Sequence, residues 1–349
     1  MAFSNDIISW YKLHKRDLPW RHTTDPYVIW LSEVILQQTR VGQGLPYFER
    51  FLSHYPDVAA FAAAQEDEIL LHWQGLGYYS RARNMHRAAK AVVGEYGGVF
   101  PSRYDELIKL VGVGEYTASA IASFAANEPR AVVDGNVFRV LARYFGIDEP
   151  INATGGRKTF LRLADELLDK DRAGLYNQAI MEFGALQCKP KSPDCGNCVL
   201  RLGCRAFNEG RVAELPVKLK AKASRSRYFH YFVVEDGDRI LMSKRGGGDI
   251  WEGLHELPLI ETSKPMALHE LAVAEAVVAH FGPDAELRLL GRPVKHVLSH
   301  QNLHAQFIGV DRHSGAVNKK VEWHYVFIKD LGTLAKPKLI YSFLQGLYG

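Results

Sequence analysis

The sequence predicts two domains of different fold class, an all-α domain followed by an α+β domain. Apolar residues recur at helical spacing up to about residue 209, whereas beyond residue 226 they alternate as in strands. A short basic stretch separates the two regions, and 349 residues are enough for two hydrophobic cores. We therefore predict a helical domain over 1–209, a linker over 210–226 and an α+β domain over 227–349.

The composition is that of an ordinary soluble protein, with 47% hydrophobic and 23% charged residues. No apolar run reaches the length of a membrane span, and the first residues lack the apolar core of a signal peptide. We expect a soluble, intracellular protein with no membrane partner.

The net charge of +4 is concentrated in the linker. Residues 1–209 hold 24 basic and 24 acidic residues, and residues 226–349 hold 14 of each. Such a connector could follow a phosphate backbone, although an isolated charge run is more often only solvated. Its cations are Arg211, Lys218, Lys220, Lys222 and Arg225.

The first domain begins with predicted helices over 4–14 and, started by Asp25 and Pro26, through Gln38. Glu33 lies in the middle of the second helix among large apolar residues. A mid-helix Glu usually faces solvent, but in an apolar cleft it would hold a proton near neutral pH. Further helices are predicted over 43–54, 57–64, 66–73 and 80–96, and two more within 157–187.

A glycine-rich turn lies at the centre of this domain. Gly112 and Gly114 allow a tight turn, and the helical spacing that follows predicts a second helix with bare amides at its start. Such amides suit a phosphate, although a simple helix–helix corner would look the same. Asp134 then follows an apolar segment and precedes another helix, where it is also a natural N-cap.

Two further patterns in this domain suggest ligands. Tyr78 and Tyr79, beside Arg81 and Arg83, are predicted to be exposed and able to enter a base stack, or else to pack at a helix start. The four cysteines all lie within 188–204, which indicates metal ligation by zinc or an iron–sulfur cluster rather than disulfides. They are Cys188, Cys195, Cys198 and Cys204.

The second domain shows strand patterns over 227–235 and 239–245, which we predict to pair with each other. A loop and strand follow over 251–260, then a helix around 267–280. Further strands are predicted over 303–310 and 322–328.

From about Trp10 to Phe207 the chain resembles the helix-hairpin-helix DNA glycosylases, most closely the adenine glycosylases of the MutY type. The resemblance implies that Glu33 is the catalytic acid and that Asp134 faces the target sugar, with Asn136 beside it. Tyr116 stands where bifunctional relatives carry a Lys, and Tyr cannot form a Schiff base. A glycosylase without intrinsic lyase activity is therefore expected.

The same resemblance assigns further roles. It implies an adenine pocket bordered by Trp20, Arg21 and Glu182, and a [4Fe–4S] cluster held by the four cysteines. DNA contacts are implied for Gln38 as a plug in the duplex, Tyr78 as a wedge, and the hairpin glycines Gly112 and Gly114.

The second domain resembles the Nudix-like domain of the same family. The carboxylate motif of Nudix pyrophosphatases is missing after Leu254, so we expect no hydrolysis there. Ser299 and His300 match the family's loop for 8-oxoguanine, with Leu298 where a Phe is usual.

The expected function is hydrolysis of the N-glycosidic bond of adenine opposite 8-oxoguanine or guanine, by a monomer acting on double-stranded DNA. The expected location is cytoplasmic and nucleoid-associated. One alternative is a helix-hairpin-helix glycosylase for another mismatch or oxidised base. A second is a non-catalytic metal-cluster protein that binds DNA.

Overall fold

The computed structural model describes residues 2–220, 224–312, 317 and 322–349. Their contacts divide the chain into two compact units. The first unit joins Met1–Ala63 to Asn84–Ala221, and the second joins Ala64–Arg83 to Lys222–Gly349. In the described residues, no helix is both long enough and apolar enough to cross a membrane.

The chain up to residue 208 is built from helices, as predicted. They are α1 (Ala2–His14), α2 (Pro26–Ile35), α3 (Val41–His54), α4 (Val58–Ala63), α5 (Glu66–Trp73), α6 (Ser80–Glu95), α7 (Tyr104–Leu107), α8 (Glu115–Ala126), α9 (Gly135–Phe145), α10 (Thr154–Leu167), α11 (Ala173–Leu186) and α12 (Arg205–Asn208).

Helix α2 begins as predicted and ends earlier. The Asp25 carboxylate caps it by accepting a hydrogen bond from the Tyr27 amide at 2.8 Å, with Pro26 in the first turn. The predicted end at Gln38 is wrong, because Gln38 has a left-handed backbone (φ 57°) that cannot continue a helix. The helix stops at Ile35 and leaves Gln38 in a turn.

The first unit has a core that joins α1, α9 and α11. Ile7, Trp10, Leu141 and Phe183 are almost fully buried in it. Helix α2 packs on α8, with Trp30 buried against aromatic neighbours. This packing fixes the middle of α2 and the start of α9, which carry Glu33 and Asp134.

Within the residues that the structure describes, the second unit contains two sheets and three further helices, which are α13 (Leu268–Ala272), α14 (Glu275–Phe281) and α15 (Lys338–Tyr348). Its strands are β1 (Arg225–Val233), β2 (Glu235–Asp236), β3 (Arg239–Lys244), β4 (His255–Glu256), β5 (Leu259–Thr262), β6 (Glu286–Leu289), β7 (Val294–Val297), β8 (Gln301–Arg312) and β9 (Trp323–Phe327).

The first sheet has the order β5–β1–β8–β6, with β7 also on β8, and the second has β2–β3–β4, with β9 on β3. Strands β1 and β8 are parallel, and Tyr231 lies opposite Phe307. The predicted pairing of 227–235 with 239–245 is therefore wrong for most of its length. Only its end pairs, where Glu235 lies opposite Ile240, because β1 is occupied by β5 and β8 on its two sides.

The predicted single helix over 267–280 is two short ones, α13 and α14. Val273 caps the end of the first with a non-helical backbone, and the extended backbone of Ala274 precedes the second. Helix α15, which has no counterpart among the predicted elements, packs Ile340 and Leu344 into the core around Tyr231.

Segment 64–83, assigned to the first domain in the prediction, groups with the second unit. Lys244 Nζ binds both carboxylate oxygens of Asp67 (2.7 and 2.8 Å), and the Lys336 amide donates to Gln74 Oε1 (2.8 Å). These polar contacts are long-range in sequence and carry no local pattern, so periodicity could not reveal them.

Candidate functional site

A cavity of about 790 Å³ in the first unit gathers most of the predicted site residues. It lies where α2, α8, α9 and α11 meet, so side chains far apart in sequence face one space. The predicted residues that line it are Trp20, Arg21, Glu33, Gln38, Gly112, Gly114, Tyr116, Asp134, Asn136 and Glu182.

Glu33 is a buried carboxyl group that lines the cavity and is hydrogen-bonded to Tyr116, another lining residue. Only 9% of the residue is exposed, and the Tyr116 hydroxyl donates to its Oε2 at 2.9 Å. Burial raises the pKa of Glu33 to about 7, while the bond from Tyr116 opposes this and the nearby Asp134 charge adds to it. A carboxyl group with such a pKa can exchange a proton near neutral pH, which suits acid–base catalysis.

Asp134 is the N-cap of α9, as predicted, and it also lines the same cavity. Its Oδ1 accepts hydrogen bonds from the amides of Asn136 and Val137, each at 2.8 Å. Its Oδ2 accepts from Asn136 Nδ2 at 2.6 Å. Burial raises the pKa of Asp134, and these three hydrogen bonds counteract the rise.

Asn136 is itself held by a residue that the sequence did not single out. Arg139 Nη2 donates to Asn136 Oδ1 (2.8 Å) and to the Gly184 carbonyl (2.6 Å), while its Nε donates to the Cys188 carbonyl (2.6 Å). A Cβ on Gly184 would lie 2.8 Å from the Asn136 carbonyl oxygen, so only glycine permits this approach. The spacing of three between Asn136 and Arg139 on one helix was the available signal.

Glu182 lies at the cavity wall as a locked anion. Its residue is 1% exposed, and its two oxygens accept bidentate hydrogen bonds from both Arg16 and Arg21 at 2.6–3.0 Å. Burial alone would raise its pKa, but the bonds from Arg16 and Arg21 lower the pKa to about 2. Trp20, buried against Phe48, completes the predicted trio.

Gln178 is a second cavity residue that sequence reasoning missed. It lies on α11 one turn before Glu182 and lines the cavity. The buried Tyr11 hydroxyl donates to its Oε1 at 2.9 Å. Because that bond orients the amide, Gln178 can present its NH₂ group to a ligand.

The glycine turn precedes α8 as predicted. Gly112 has φ 78°, and a Cβ there would lie 2.6 Å from Asn84 Cβ, so the position requires glycine on two grounds. Gly114 is the N-cap of α8 and has open space around its Cβ position. Backbone amides at the start of this 12-residue helix are thus free of side-chain obstruction.

In the second unit, the two neighbouring tyrosines differ. Tyr78 is 49% exposed with a left-handed backbone (φ 49°), and its hydroxyl hydrogen-bonds to Ser299 Oγ. Tyr79 packs at the helix start, the second of the two alternatives predicted for it, since only 6% of the residue is exposed and its hydroxyl donates to the Lys336 carbonyl at 3.2 Å. Ser299 and His300 form the turn of the β7–β8 hairpin, closed by the hydrogen bond from the Leu298 amide to the Gln301 carbonyl.

The four cysteines are half-buried free thiols at the end of α11 and in the loop that follows. The buried Arg143 donates to Cys188 Sγ at 3.4 Å and to the Lys189 carbonyl at 2.8 Å. Burial raises the pKa of Cys198 to about 11, and negative charge on the neighbouring cysteines adds to this. Across the described ranges, no three His, Cys, Asp or Glu side chains are placed to hold one metal ion.

The linker cations differ in availability. Lys218, Lys220 and Arg225 are exposed. Arg211 is partly buried and forms ion pairs with Asp148 (3.3 Å) and Glu214 (3.2 Å). Lys222 lies outside the described residues.

Two family models match the chain. Residues 31–164 match the HhH-GPD superfamily base excision DNA repair proteins, and residues 230–346 match the NUDIX domain. The adenine DNA glycosylase of Buchnera aphidicola (Schizaphis graminum) is 34% identical over 75% of this chain and 76% of its own length. The mouse protein of that name is also 34% identical, over 86% of this chain and 69% of its own length.

Among solved structures, a thermostable thymine-DNA glycosylase aligns with a TM-score of 0.56 and 31% identity, covering 60% of this chain and 96% of its own. An endonuclease III–DNA complex aligns at 0.52 with 22% identity over 60% of this chain and 95% of its own, which supports the helical fold.

Proposed function

Because this chain belongs to the adenine DNA glycosylase family, we propose that it hydrolyses the bond between adenine and deoxyribose opposite 8-oxoguanine or guanine. The observation that carries the mechanism is the pair of carboxyl groups, Glu33 and Asp134, that face one cavity. Glu33 has a pKa of about 7, whereas Asp134 accepts three hydrogen bonds that favour its ionised form. Two carboxyl groups in different environments suit the two roles of glycosidic cleavage.

The target base must leave the helix before reaction, because its glycosidic bond is inaccessible within the stack. In the cavity, protonated Glu33 would donate to a ring nitrogen of adenine and make the base a neutral leaving group. The Tyr116 hydroxyl, at 2.9 Å from Glu33 Oε2, would then stabilise the carboxylate that remains. That carboxylate is in turn the base for an attacking water.

As adenine departs, the sugar gains positive charge. Asp134 would stabilise this charge from the cap of α9, held in place by Asn136 and, through it, Arg139. A carboxylate fixed by hydrogen bonds needs little reorganisation when the charge develops.

Recognition of adenine is assigned to three other residues that line the same cavity, Trp20, Arg21 and Glu182. Trp20 offers an apolar surface, and the ion-paired Arg21 and Glu182 give that part of the cavity its shape. Since both Glu182 oxygens already accept from arginines, we assign the direct hydrogen bond to adenine to Gln178.

We propose that the four cysteines hold a [4Fe–4S] cluster, which when bound would cross-link the loop over 188–204 and provide a redox-active centre. The residues fit the group. Half-buried thiols lie close enough to influence each other's pKa, and the Arg143 cation beside Cys188 would offset thiolate charge. Structural zinc sites more often use two separated Cys-x-x-Cys pairs, whereas this sequence has one such pair, Cys195 and Cys198.

The purified protein is expected to be brown and to contain about four irons per chain. Iron and zinc analysis after anaerobic purification, with the visible spectrum, measures this. A colourless protein with one zinc per chain would contradict the assignment.

No strand cleavage is expected without alkali, because Tyr116 provides no amine to attack the sugar. The measurement is adenine release from a duplex with adenine opposite 8-oxoguanine, followed with and without alkali, and borohydride trapping. Tyr116→Lys should gain some trapping. Efficient trapping by the unaltered protein would overturn this assignment, and release of thymine rather than adenine would favour the alternative glycosylase.

We further propose that DNA is held by the hairpin amides at Gly112 and Gly114, by Gln38 inserted in the duplex, and by Tyr78 as a wedge. Tyr78 and Ser299, joined by their hydroxyl groups, would contact the base opposite adenine, with His300 beside them. Exposure of the Tyr78 ring supports this role.

Ser299→Ala with His300→Ala is expected to reduce the preference for 8-oxoguanine over guanine by roughly 30-fold, since two lost hydrogen bonds are worth about 1 kcal/mol each. Single-turnover rates on the two duplexes measure it. As a matched control, Lys218→Ala with Lys220→Ala should weaken binding to both duplexes equally and make that binding less dependent on salt. If the variant with Ser299→Ala and His300→Ala kept the full preference, discrimination between 8-oxoguanine and guanine would be assigned to Tyr78 alone.

The domain assignment is part of the proposal. We take 1–209 as the glycosylase domain with its cluster loop, 210–226 as the linker and 227–349 as the Nudix-like domain. A role in chromosome repair also implies an intracellular, nucleoid-associated monomer.

A further inference from the structure

The turn over Gly75–Tyr79, in the second unit, holds Tyr78 in an uncommon conformation. Gly77 (φ 74°) and Tyr78 (φ 49°) are consecutive left-handed residues. Glycine adopts this region freely, whereas a tyrosine does so only when its surroundings hold it. The exposed ring of Tyr78 therefore needs a support elsewhere in the turn.

Arg81 provides contacts on both sides of this turn. Its guanidinium carbon lies 4.9 Å from the ring centre of the fully buried Trp73 and 5.6 Å from that of Tyr78. Its Nη2 donates to the Gly77 carbonyl at 3.2 Å, and the same carbonyl accepts from Trp73 Nε1 at 3.0 Å. One cation thus joins a fixed ring, the turn backbone and the exposed ring.

We infer that Arg81 is a positioning residue that holds the Tyr78 ring where its hydroxyl meets Ser299, and thereby sets the discrimination between 8-oxoguanine and guanine. This inference rests on the proposed reading of that base by Tyr78 and Ser299. A planar guanidinium stacks on aromatic faces in a way that the ammonium of lysine does not.

The competing role for Arg81 is a direct phosphate contact. Burial lowers the pKa of Arg81 to about 10, which is typical of a cation withdrawn from water rather than presented to a ligand. The two roles also differ in their consequences. A phosphate contact would affect all duplexes alike and change the salt dependence, whereas a support for Tyr78 would affect the choice of base.

The test compares Arg81→Met, Arg81→Lys, Tyr78→Leu and the double variant Arg81→Met with Tyr78→Leu. Single-turnover rates are measured on duplexes with adenine opposite 8-oxoguanine and opposite guanine, at two salt concentrations. Arg81→Met should lower the 8-oxoguanine preference roughly fivefold to tenfold, and Arg81→Lys should lower it less. Adding Arg81→Met to Tyr78→Leu should lower it no further, because the residues act as one unit.

Hydrogen exchange of the free protein provides a readout without DNA. Arg81→Met should speed exchange in the peptide over 74–80. Arg83→Met, which removes the ion pair with Glu252, is the matched control. It should leave both the exchange of that peptide and the preference for 8-oxoguanine unchanged. Additive effects in the double variant, or equal losses on both duplexes with a flattened salt dependence, would overturn the inference.

A failure of the proposed function is distinguishable. If Tyr78→Leu and Ser299→Ala both kept the full preference, the proposed base reading would be wrong. Faster exchange in Arg81→Met would then still support the contact between Arg81 and the turn, whereas unchanged exchange would contradict that as well.

Discussion

Glu33→Gln is expected to slow adenine release by about 10²–10⁴-fold, the usual contribution of a positioned general acid. Gln is nearly isosteric and can still accept the hydrogen bond from Tyr116, but it cannot deliver a proton. Single-turnover excision on a duplex with adenine opposite 8-oxoguanine measures the loss. Binding to that duplex should change little, because the proton transfer belongs to the transition state.

The pH dependence separates an acid from a merely buried carboxyl group. Release by the unaltered protein should fall as the pH rises through about 7, because Glu33 loses its proton there. Tyr116→Phe removes the hydroxyl that stabilises the carboxylate, so the pKa of Glu33 should rise and the decline should move to higher pH. A profile in Tyr116→Phe that declines at lower pH would contradict this arrangement.

Glu33 also links stability to pH. Between its ordinary pKa of 4.5 and about 7, the folded protein keeps a proton on Glu33 that the unfolded chain has lost. The contribution of this group to the free energy of unfolding therefore falls as the pH rises across that window. Glu33→Gln should be more stable than the unaltered protein at about pH 8, and the difference should shrink toward about pH 5.

Sequence reasoning located the cavity residues because each carries a local signal. Asp134 precedes a helix, Gly112 and Gly114 mark a turn, and Glu33 interrupts an apolar helix. The structure adds that these signals meet in one cavity. The resemblance to a known family supplied the roles, which spacing alone left open.

The residues that were missed act through partners distant in sequence. Arg16 and Gln178 contact Glu182 and Tyr11 across more than 160 positions, so no periodicity could mark them. The choice between exposure and packing for Tyr79 stayed open because its hydroxyl contacts the Lys336 carbonyl, which is equally remote in sequence. Backbone conformation was a further limit, since no local sequence pattern indicates that Gln38, in the turn after α2, has a left-handed backbone.

Substitution of Asp134 is expected to have the second large effect. Because Asp134 also caps α9, the change to Asn alters the helix cap as well as the charge. Asp134→Asn should abolish detectable adenine release while leaving duplex binding largely intact, because a neutral amide cannot stabilise a cationic sugar. Asn also caps helices well, so the fold should survive. However, its NH₂ group would face Asn136 Nδ2, two donors at the site of the present 2.6 Å bond, which costs some stability.

Asp134→Ser is the control that separates cap from charge. Serine retains an oxygen that can accept hydrogen bonds from the amides of Asn136 and Val137. Unlike asparagine, it places no NH₂ group against Asn136 Nδ2. Thermal unfolding should therefore stay close to that of the unaltered protein, while single-turnover release is lost as fully as in Asp134→Asn. Near-normal release by Asp134→Ser would mean that Asp134 serves only the start of α9, and the positive charge on the sugar would then have to be stabilised by another group in the cavity.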